Sequence, residues 1–378
     1  MPLRILHVVG SMDRGGIETW LMHVLRHTDR DRFAMDFLVH TTRPGAYDEE
    51  IRALGGRILR CLRPSRPWAY ARCFRRILRE CGPYDVVHSH VHHYSGHVLR
   101  LAHRAGVPVR IAHSHLDSSG LRPHSGLFRR FYLDLMQRWI DRDSTVGLAA
   151  SRQAAGALFG PHWQANSRRR LLYCGIDLAP FRTPVDPAAE RAALGIPGDA
   201  FVMGHVGRFT DQKNHRFLVT IAAEVAVREP RARLLLIGDG PLRPAIEQGV
   251  QQAGLAGRVL FAGSRPDVAR LMRGVMDVFV MPSLYEGLPL VGMEAQAAGL
   301  TLVVSDTITP ELDVIPELVQ RRSLNEPASV WAQAVLAARD GPSLGKHEAL
   351  AAMEKSPFDI HQSVTELEQV YAGGVRAS

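Results

Sequence analysis

Glu286 and Glu294 stand with seven residues between them in Pro282-Ser-Leu-Tyr-Glu-Gly-Leu-Pro-Leu-Val-Gly-Met-Glu294. Asp277-Val-Phe-Val-Met281 reads as a buried strand, Ser283 to Gly287 as a loop, and Pro289 as the first helical residue, where a missing N–H is no loss. Amides near Gly287, Leu288 and Leu290 are then free donors, and free amides at a helix start attract phosphate. Eight helical steps from Glu286 to Glu294 would span about 12 Å. That suits opposite ends of one elongated ligand, whereas two carboxylates flanking a glycosidic bond would stand roughly 5 to 9.5 Å apart.

The cations that would complete such a site are Arg208 and Lys213, in Gly204-His-Val-Gly-Arg208-Phe-Thr-Asp-Gln-Lys213-Asn-His215. The chain carries a formal charge of +8 with a pI near 9.7, and its only lysines are Lys213, Lys346 and Lys355. A lysine in a glycine-flanked polar loop of an arginine-rich protein therefore carries information. The charge favours anionic partners, among them nucleotide sugars, lipid headgroups and nucleic acid, without choosing among them. Gly238-Asp-Gly240 opens like a dinucleotide fingerprint, but Pro241, Leu242 and Arg243 follow it, so the pair is weak evidence for NAD. Gly15 and Gly16 form a second small-residue loop that lets a phosphate approach the backbone.

Histidines gather in two places: His88, His90, His92, His93 and His97, then His113 and His115, each group alternating as at a strand end. Without cysteine partners or an HExxH helix the zinc reading is weak, and no metal is assigned. The spacing does not say which of His113 and His115 points inward; His115 is preferred as an orienting group or proton relay.

The elements that must position these groups follow from hydrophobic periodicity. Arg4 to Val9, Gly10 and an amphipathic stretch from Ile17 give strand, loop and helix. Strands recur near Met35–Val39, Arg57–Cys61, Val86–Ser89, Val109–Ala112, Val146–Ala149 and Leu171–Tyr173, and, in a second series, near Phe201–Val206, Arg233–Ile237, Val259–Ala262, Val278–Met281 and Leu302–Ser305. Helical patterns alternate with them, starting around His215, Leu242, Asp267 and Pro289 in the second series, which predicts two doubly wound α/β halves. Asp177 to Asp199, with four prolines, reads as a linker plus one short helix. The Gly10, His113, Gly207, Gly238 and Glu286 segments all follow strands, where open parallel sheets bind ligands.

At 378 residues and 46% apolar content, the chain can bury two ordinary cores. Four cysteines without metal-ligand spacing give no disulfide framework and point to a reducing cytoplasm. No uncharged segment reaches the roughly 20 residues of a membrane span. Arg72–Arg79 and Arg129–Arg142 are basic amphipathic stretches that suit either an anionic inner leaflet or, more simply, packing on a sheet with solvated arginines.

Taken together, the glutamate-x7-glutamate element, His7-Val-Val-Gly10 with Met12-Asp-Arg-Gly15-Gly16-Ile-Glu-Thr19, Asp85-Val-Val-His-Ser-His90, Arg110-Ile-Ala-His-Ser-His115, the Gly204–His215 motif, Leu236-Ile-Gly-Asp-Gly240 and Glu294-Ala-Gln-Ala-Ala-Gly299 resemble family-4 retaining glycosyltransferases of the GT-B fold. The likeness is nearest to members serving exopolysaccharide and capsule synthesis, runs from about Arg4 to about Thr309, and keeps the family's motif order. Cys174 departs from it, standing where relatives commonly carry asparagine.

The resemblance implies two Rossmann-like doubly wound parallel-sheet domains facing a cleft: residues 1–176 for the acceptor, 177–355 for the nucleotide-sugar donor, and a helix in 356–378 crossing back to the first. It implies retention of anomeric configuration, Glu294 on the ribose and Glu286 on hydroxyls of the transferred sugar. Arg208 and Lys213 are assigned to the departing diphosphate, where positioned cations stabilise charge as the bond breaks and replace a metal. Gly207, Gly238, Gly240, Arg265, Gly287, Leu288, Pro289 and Leu290 complete the donor set, with Gly15, Gly16 and His113 on the acceptor side. The expected reaction moves a sugar from a nucleotide donor, UDP-linked by preference, to a saccharide or lipid-linked acceptor in the cytoplasm, with peripheral inner-membrane contact and no cofactor. Two further readings are a sugar-nucleotide epimerase and a non-catalytic nucleotide-sugar-binding module. Nucleic-acid binding ranks behind them, because the basic residues are dispersed and no stacking motif accompanies them.

Overall fold

The computed structural model describes residues 1–62, 65–115, 126–340 and 344–376. The chain divides into two compact units, Met1–Gly175 with Ile360–Ser378, and Ile176–Asp359.

In the first unit seven parallel strands run in the order β3-β2-β1-β4-β5-β6-β7. They are β1 (Leu3–Val9), β2 (Phe33–Val39), β3 (Ile58–Arg60), β4 (Val86–Ser89), β5 (Val109–Ser114), β6 (Val146–Ala149) and β7 (Arg169–Leu171). The last helix of the chain, Ile360–Arg376, belongs to this unit and packs against the helix Gly16–His27, with Trp20 Nε1 donating to Ser363 Oγ at 3.2 Å.

The second unit holds six parallel strands in the order β10-β9-β8-β11-β12-β13. They are β8 (Phe201–Val206), β9 (Ala232–Ile237), β10 (Val259–Gly263), β11 (Val278–Met281), β12 (Thr301–Ser305) and β13 (Val319–Arg322). Every residue of β11 is fully buried, which is why it reads as an unbroken apolar run. Strand order reverses between β1 and β4 and again between β8 and β11. Doubly wound sheets place their ligand crevices outside the carboxyl ends of strands at such reversals.

Differences from the sequence expectation sit at the margins. β7 lies two residues earlier than Leu171–Tyr173, and the linker holds two short helices, Ala179–Arg182 and Pro187–Ala193, the second capped by the Asp186 carboxylate, which accepts from the Ala188 and Ala189 amides at 3.0 and 3.4 Å. β13 was not expected. It is an edge strand of Val-Gln-Arg-Arg, half-buried throughout, with Arg321 tied to Asp313 at 2.7 Å, so it lacks an apolar signal.

Candidate functional site

At the β8/β11 reversal, the loop after β8 and the loop after β11 are locked together. Lys213 Nζ donates to Glu286 Oε1 at 2.6 Å, and Gln212 Nε2 donates to Glu286 Oε2 at 3.2 Å and to the Tyr285 carbonyl at 3.0 Å. The Leu284 amide returns a bond to the Gln212 carbonyl at 2.8 Å. The side chains of Lys213 and Glu286 are only 16% and 7% exposed, so the pair is shielded from bulk water. Gly207 makes the lysine's position possible: a Cβ there would stand 3.2 Å from the Lys213 methylenes. Asn214, in the left-handed region at φ 53, turns the chain from Lys213 into the helix His215–Arg228.

Two further loops brace this one. Gly207 N donates to the Ile237 carbonyl at 2.9 Å, Phe209 N to the Asp239 carbonyl at 3.0 Å, and Gly238 N to the Gly263 carbonyl at 2.8 Å, so the ends of β8, β9 and β10 are stitched side by side. Gly238 sits at φ 133, and a Cβ there would overlap the Gly207 carbonyl oxygen. A Cβ at Gly240 would stand 2.6 Å from the Phe209 oxygen. Both glycines are thus required by close backbone approach. Arg208 projects from the middle of this stack, exposed and, among the described residues, without an ion pair.

Past Glu286, the helix runs Leu290–Ala297 and Pro289 is its N-cap in extended conformation (φ −78, ψ 101), so Pro289 is not the first helical residue. Among the described residues, the amides of Gly287, Leu288 and Leu290 find no backbone acceptor. Glu294 lies on this helix, half-buried, with no hydrogen bond or ion pair to its carboxylate among the described residues, and burial pushes its pKa up to about 7. Arg265 is held by a bidentate pair with Asp267 at 2.6 and 2.8 Å. Its guanidinium is engaged, leaving backbone groups as what this segment can offer. Gln212, inside the Gly204–His215 motif but assigned no role there, fixes Glu286, and Asp267, which carried no motif signal, fixes Arg265.

In the first unit, Gly15 is the N-cap of the helix Gly16–His27 with extended φ, and a Cβ on Gly15 would collide with the Glu18 carboxylate. An acid folded over a helix start is a favourable dipole partner. It stands where an anion would otherwise approach.

His113 and His115 belong to one buried group with His7, His88 and His90, on the sheet face covered by Trp20 and Tyr371. His7, from β1, was not grouped with the others in the sequence; its polarity inside an apolar strand was the available signal. His115 has partners on both ring nitrogens, His90 Nδ1 at 2.9 Å and Cys174 Sγ at 3.7 Å, whereas His113 has one, His88 Nε2 at 3.1 Å, and an unpartnered Nε2. Burial lowers the pKa of all five rings, His7 and His115 to about 3.

The helix Pro67–Cys81 buries Tyr70, Phe74 and Ile77 in the core and leaves Arg72, Arg75, Arg76 and Arg79 exposed, together with Trp68 in its first turn, which is 86% exposed. The helix Leu127–Asp143 likewise exposes aromatics at its start, where Phe128 and Phe131 are 95% and 69% exposed beside exposed Arg129 and Arg130. Among the described residues no helix is long and apolar enough to cross a membrane.

Two doubly wound parallel-sheet units, each with a strand-order reversal, are the architecture of the GT-B fold. Residues 15–174 match the family described as glycosyl transferase 4-like domain, and residues 200–337 match glycosyl transferases group 1. The chain belongs to this glycosyltransferase family, of the family-4 type with the GT-B fold. It is 40% identical over 372 residues to a Bacillus subtilis protein named "Putative glycosyltransferase EpsF", covering 97% of this chain and 96% of the relative. It is 28% identical, over 59% of this chain and 58% of the relative, to the Escherichia coli UDP-Gal:α-D-GlcNAc-diphosphoundecaprenol α-1,3-galactosyltransferase. Among solved structures, Anabaena HepE in complex with UDP-glucose superposes with a TM-score of 0.79 at 19% identity, covering 98% of this chain and all of HepE.

Proposed function

We infer that this glycosyltransferase takes a UDP-linked sugar in its second unit and transfers it, with retention of anomeric configuration, to a saccharide or lipid-linked saccharide acceptor in surface-polysaccharide assembly. The observation that carries the reading is the Lys213–Glu286 contact, which joins both loops of the β8/β11 reversal and puts an ammonium, a carboxylate and a helix start in one place. In the proposed mechanism, Arg208, Lys213 and the amides of Gly287, Leu288 and Leu290 hold the diphosphate. Charge grows on its β-phosphate as the sugar bond breaks, and fixed donors stabilise that charge more than the ground state.

Glu294 accepts from the two ribose hydroxyls, and Glu286 from hydroxyls of the sugar. The departing phosphate takes the acceptor proton on the same face, so no protein nucleophile is needed. HepE supports the donor class through its UDP-glucose complex, and the Escherichia coli enzyme supports a UDP-sugar with a lipid diphosphate acceptor. The exposed aromatic and basic start of the helix Leu127–Asp143 suits contact with an anionic leaflet bearing such an acceptor.

The reaction is tested by incubating the protein with a panel of nucleotide sugars and undecaprenyl-diphosphate saccharides and reading the product linkage by NMR. A product with the donor's anomeric configuration is expected. Release of an altered nucleotide sugar without any acceptor would replace transfer by epimerisation.

A further inference from the structure

The first unit holds a cluster that the transfer chemistry does not use in full. His7, His88, His90, His113 and His115 come from β1, β4, β5 and the residues just past β4 and β5, and their even spacing along parallel strands turns them to one face. Adjacent rings are close, with centroids 4.1 Å apart for His88 and His90 and 4.0 Å for His113 and His115. One nitrogen from each of His90, His113 and His115 lies within 4.8 Å of the other two.

We propose that His90, His113 and His115 bind one divalent transition-metal ion of the zinc type. The hydrogen bonds select the ligand atoms. Nδ1 of His90 and Nε2 of His115 face each other at 2.9 Å, and Nε2 of His113 is buried without a partner. With these three as ligands, the far nitrogen of every ligand meets a neighbour that can accept its proton: His90 Nε2 meets His7 Nδ1 at 3.1 Å, His113 Nδ1 meets His88 Nε2 at 3.1 Å, and His115 Nδ1 meets Cys174 Sγ at 3.7 Å. With its Nε2 accepting from His113, His88 donates its Nδ1–H to Tyr371 OH at 2.9 Å. Metal-bound imidazoles characteristically have such an outer partner, which fixes ring and tautomer.

A tetrahedral ion with Zn–N bonds of about 2.0–2.1 Å holds its ligands ~3.4 Å apart, so small ring rotations separate His90 from His115 and draw His113 in. The three-imidazole set contains no carboxylate, which disfavours Mg2+ and Ca2+ and favours Zn2+, Co2+, Ni2+ or Cu2+. The ion would tie the ends of β4 and β5 beneath Trp20.

The test is titration of the chelator-washed full-length protein with Co2+, followed by its visible d–d absorption, with Mg2+ as the hard-ion comparison. Saturation at one equivalent is expected, with a Zn2+-dependent rise in Tm, loss of the bands in both His90→Gln and His113→Gln, and retention in His347→Gln, an exposed control. Absence of saturable binding, or bands that survive in both cluster variants, overturns the proposal. Should those variants fail to fold, X-ray absorption of the zinc-loaded wild type decides: three imidazoles in the shell support the site, and an oxygen-dominated shell refutes it.

Discussion

Lys213 Nζ and Glu286 Oε1 meet at 2.6 Å across the β8/β11 reversal, with Gln212 on the second glutamate oxygen at 3.2 Å. Removing the ammonium leaves a carboxylate only 7% exposed with one of its two side-chain donors gone. Lys213→Met should therefore cost about 1–3 kcal/mol in urea unfolding, less than a fully buried pair because Gln212 still donates. The double variant Lys213→Met/Glu286→Gln should recover most of that stability and none of the turnover. Recovery of turnover in the double variant would show the pair to be structural only.

Arg208 gives the opposite signature. Its side chain is exposed and unpaired among the described residues, so Arg208→Ala should leave urea unfolding within about 0.5 kcal/mol of wild type. Turnover should fall about 10²- to 10³-fold, the usual loss for one preorganised donor at developing charge. The check is kcat beside the unfolding curve; equal kcat would remove Arg208 from the diphosphate site.

Glu294 makes donor binding pH-dependent. Its folded pKa is raised to about 7 from an ordinary 4.5, so between these values the native state binds more protons than the unfolded one, and this group's contribution to stability falls as pH rises through that window. A ligand whose ribose hydroxyls donate to the carboxylate favours the ionised form. Affinity for UDP-glucose, whose diphosphate does not titrate there, should increase from pH 6 to pH 8 in wild type and stay flat in Glu294→Gln. Calorimetric titration at three pH values measures this, and a flat wild-type profile would count against the ribose assignment.

Gly238→Ala places a Cβ on the Gly207 carbonyl oxygen at a backbone φ of 133. It should destabilise the second unit by about 1–3 kcal/mol, and because Gly207 supports Lys213 it should weaken donor binding as well. Thermal unfolding with and without UDP separates the two effects.

Phe128 and Phe131 are exposed beside Arg129 and Arg130. Flotation with vesicles containing anionic lipid should retain the wild type, and retention should drop in Phe128→Ser/Phe131→Ser and at high salt. No retention on anionic vesicles would remove membrane contact from the account.

The legible parts of this molecule were those where local chemistry and burial coincide. β8 and β11 were read to the residue because β-rich apolar stretches, unbroken in β11 and interrupted in β8 only by Gly204 and His205, end on Gly207 and Pro282 loops. β13 escaped because an edge strand of Val-Gln-Arg-Arg has no apolar signature, and Pro289 was displaced by one position because a proline serves a cap as readily as a first turn. At the site, residue types announced Arg208, Lys213, Glu286 and Glu294, but not that Lys213 and Glu286 pair with each other. Nor did spacing reveal that His7 joins His88, His90, His113 and His115, since that depends on β1 pairing with β4, a contact between strands far apart in sequence.

The most direct measurement is equilibrium binding of UDP, UDP-glucose and UDP-galactose to the wild type and to Arg208→Ala and Glu294→Ala, by titration calorimetry. Saturable one-to-one binding of at least one of these nucleotides, weakened at least about tenfold in both variants, is the predicted result. Indifference of the wild type to all three, or equal affinity in all three proteins, would contradict a diphosphate site at the β8/β11 reversal.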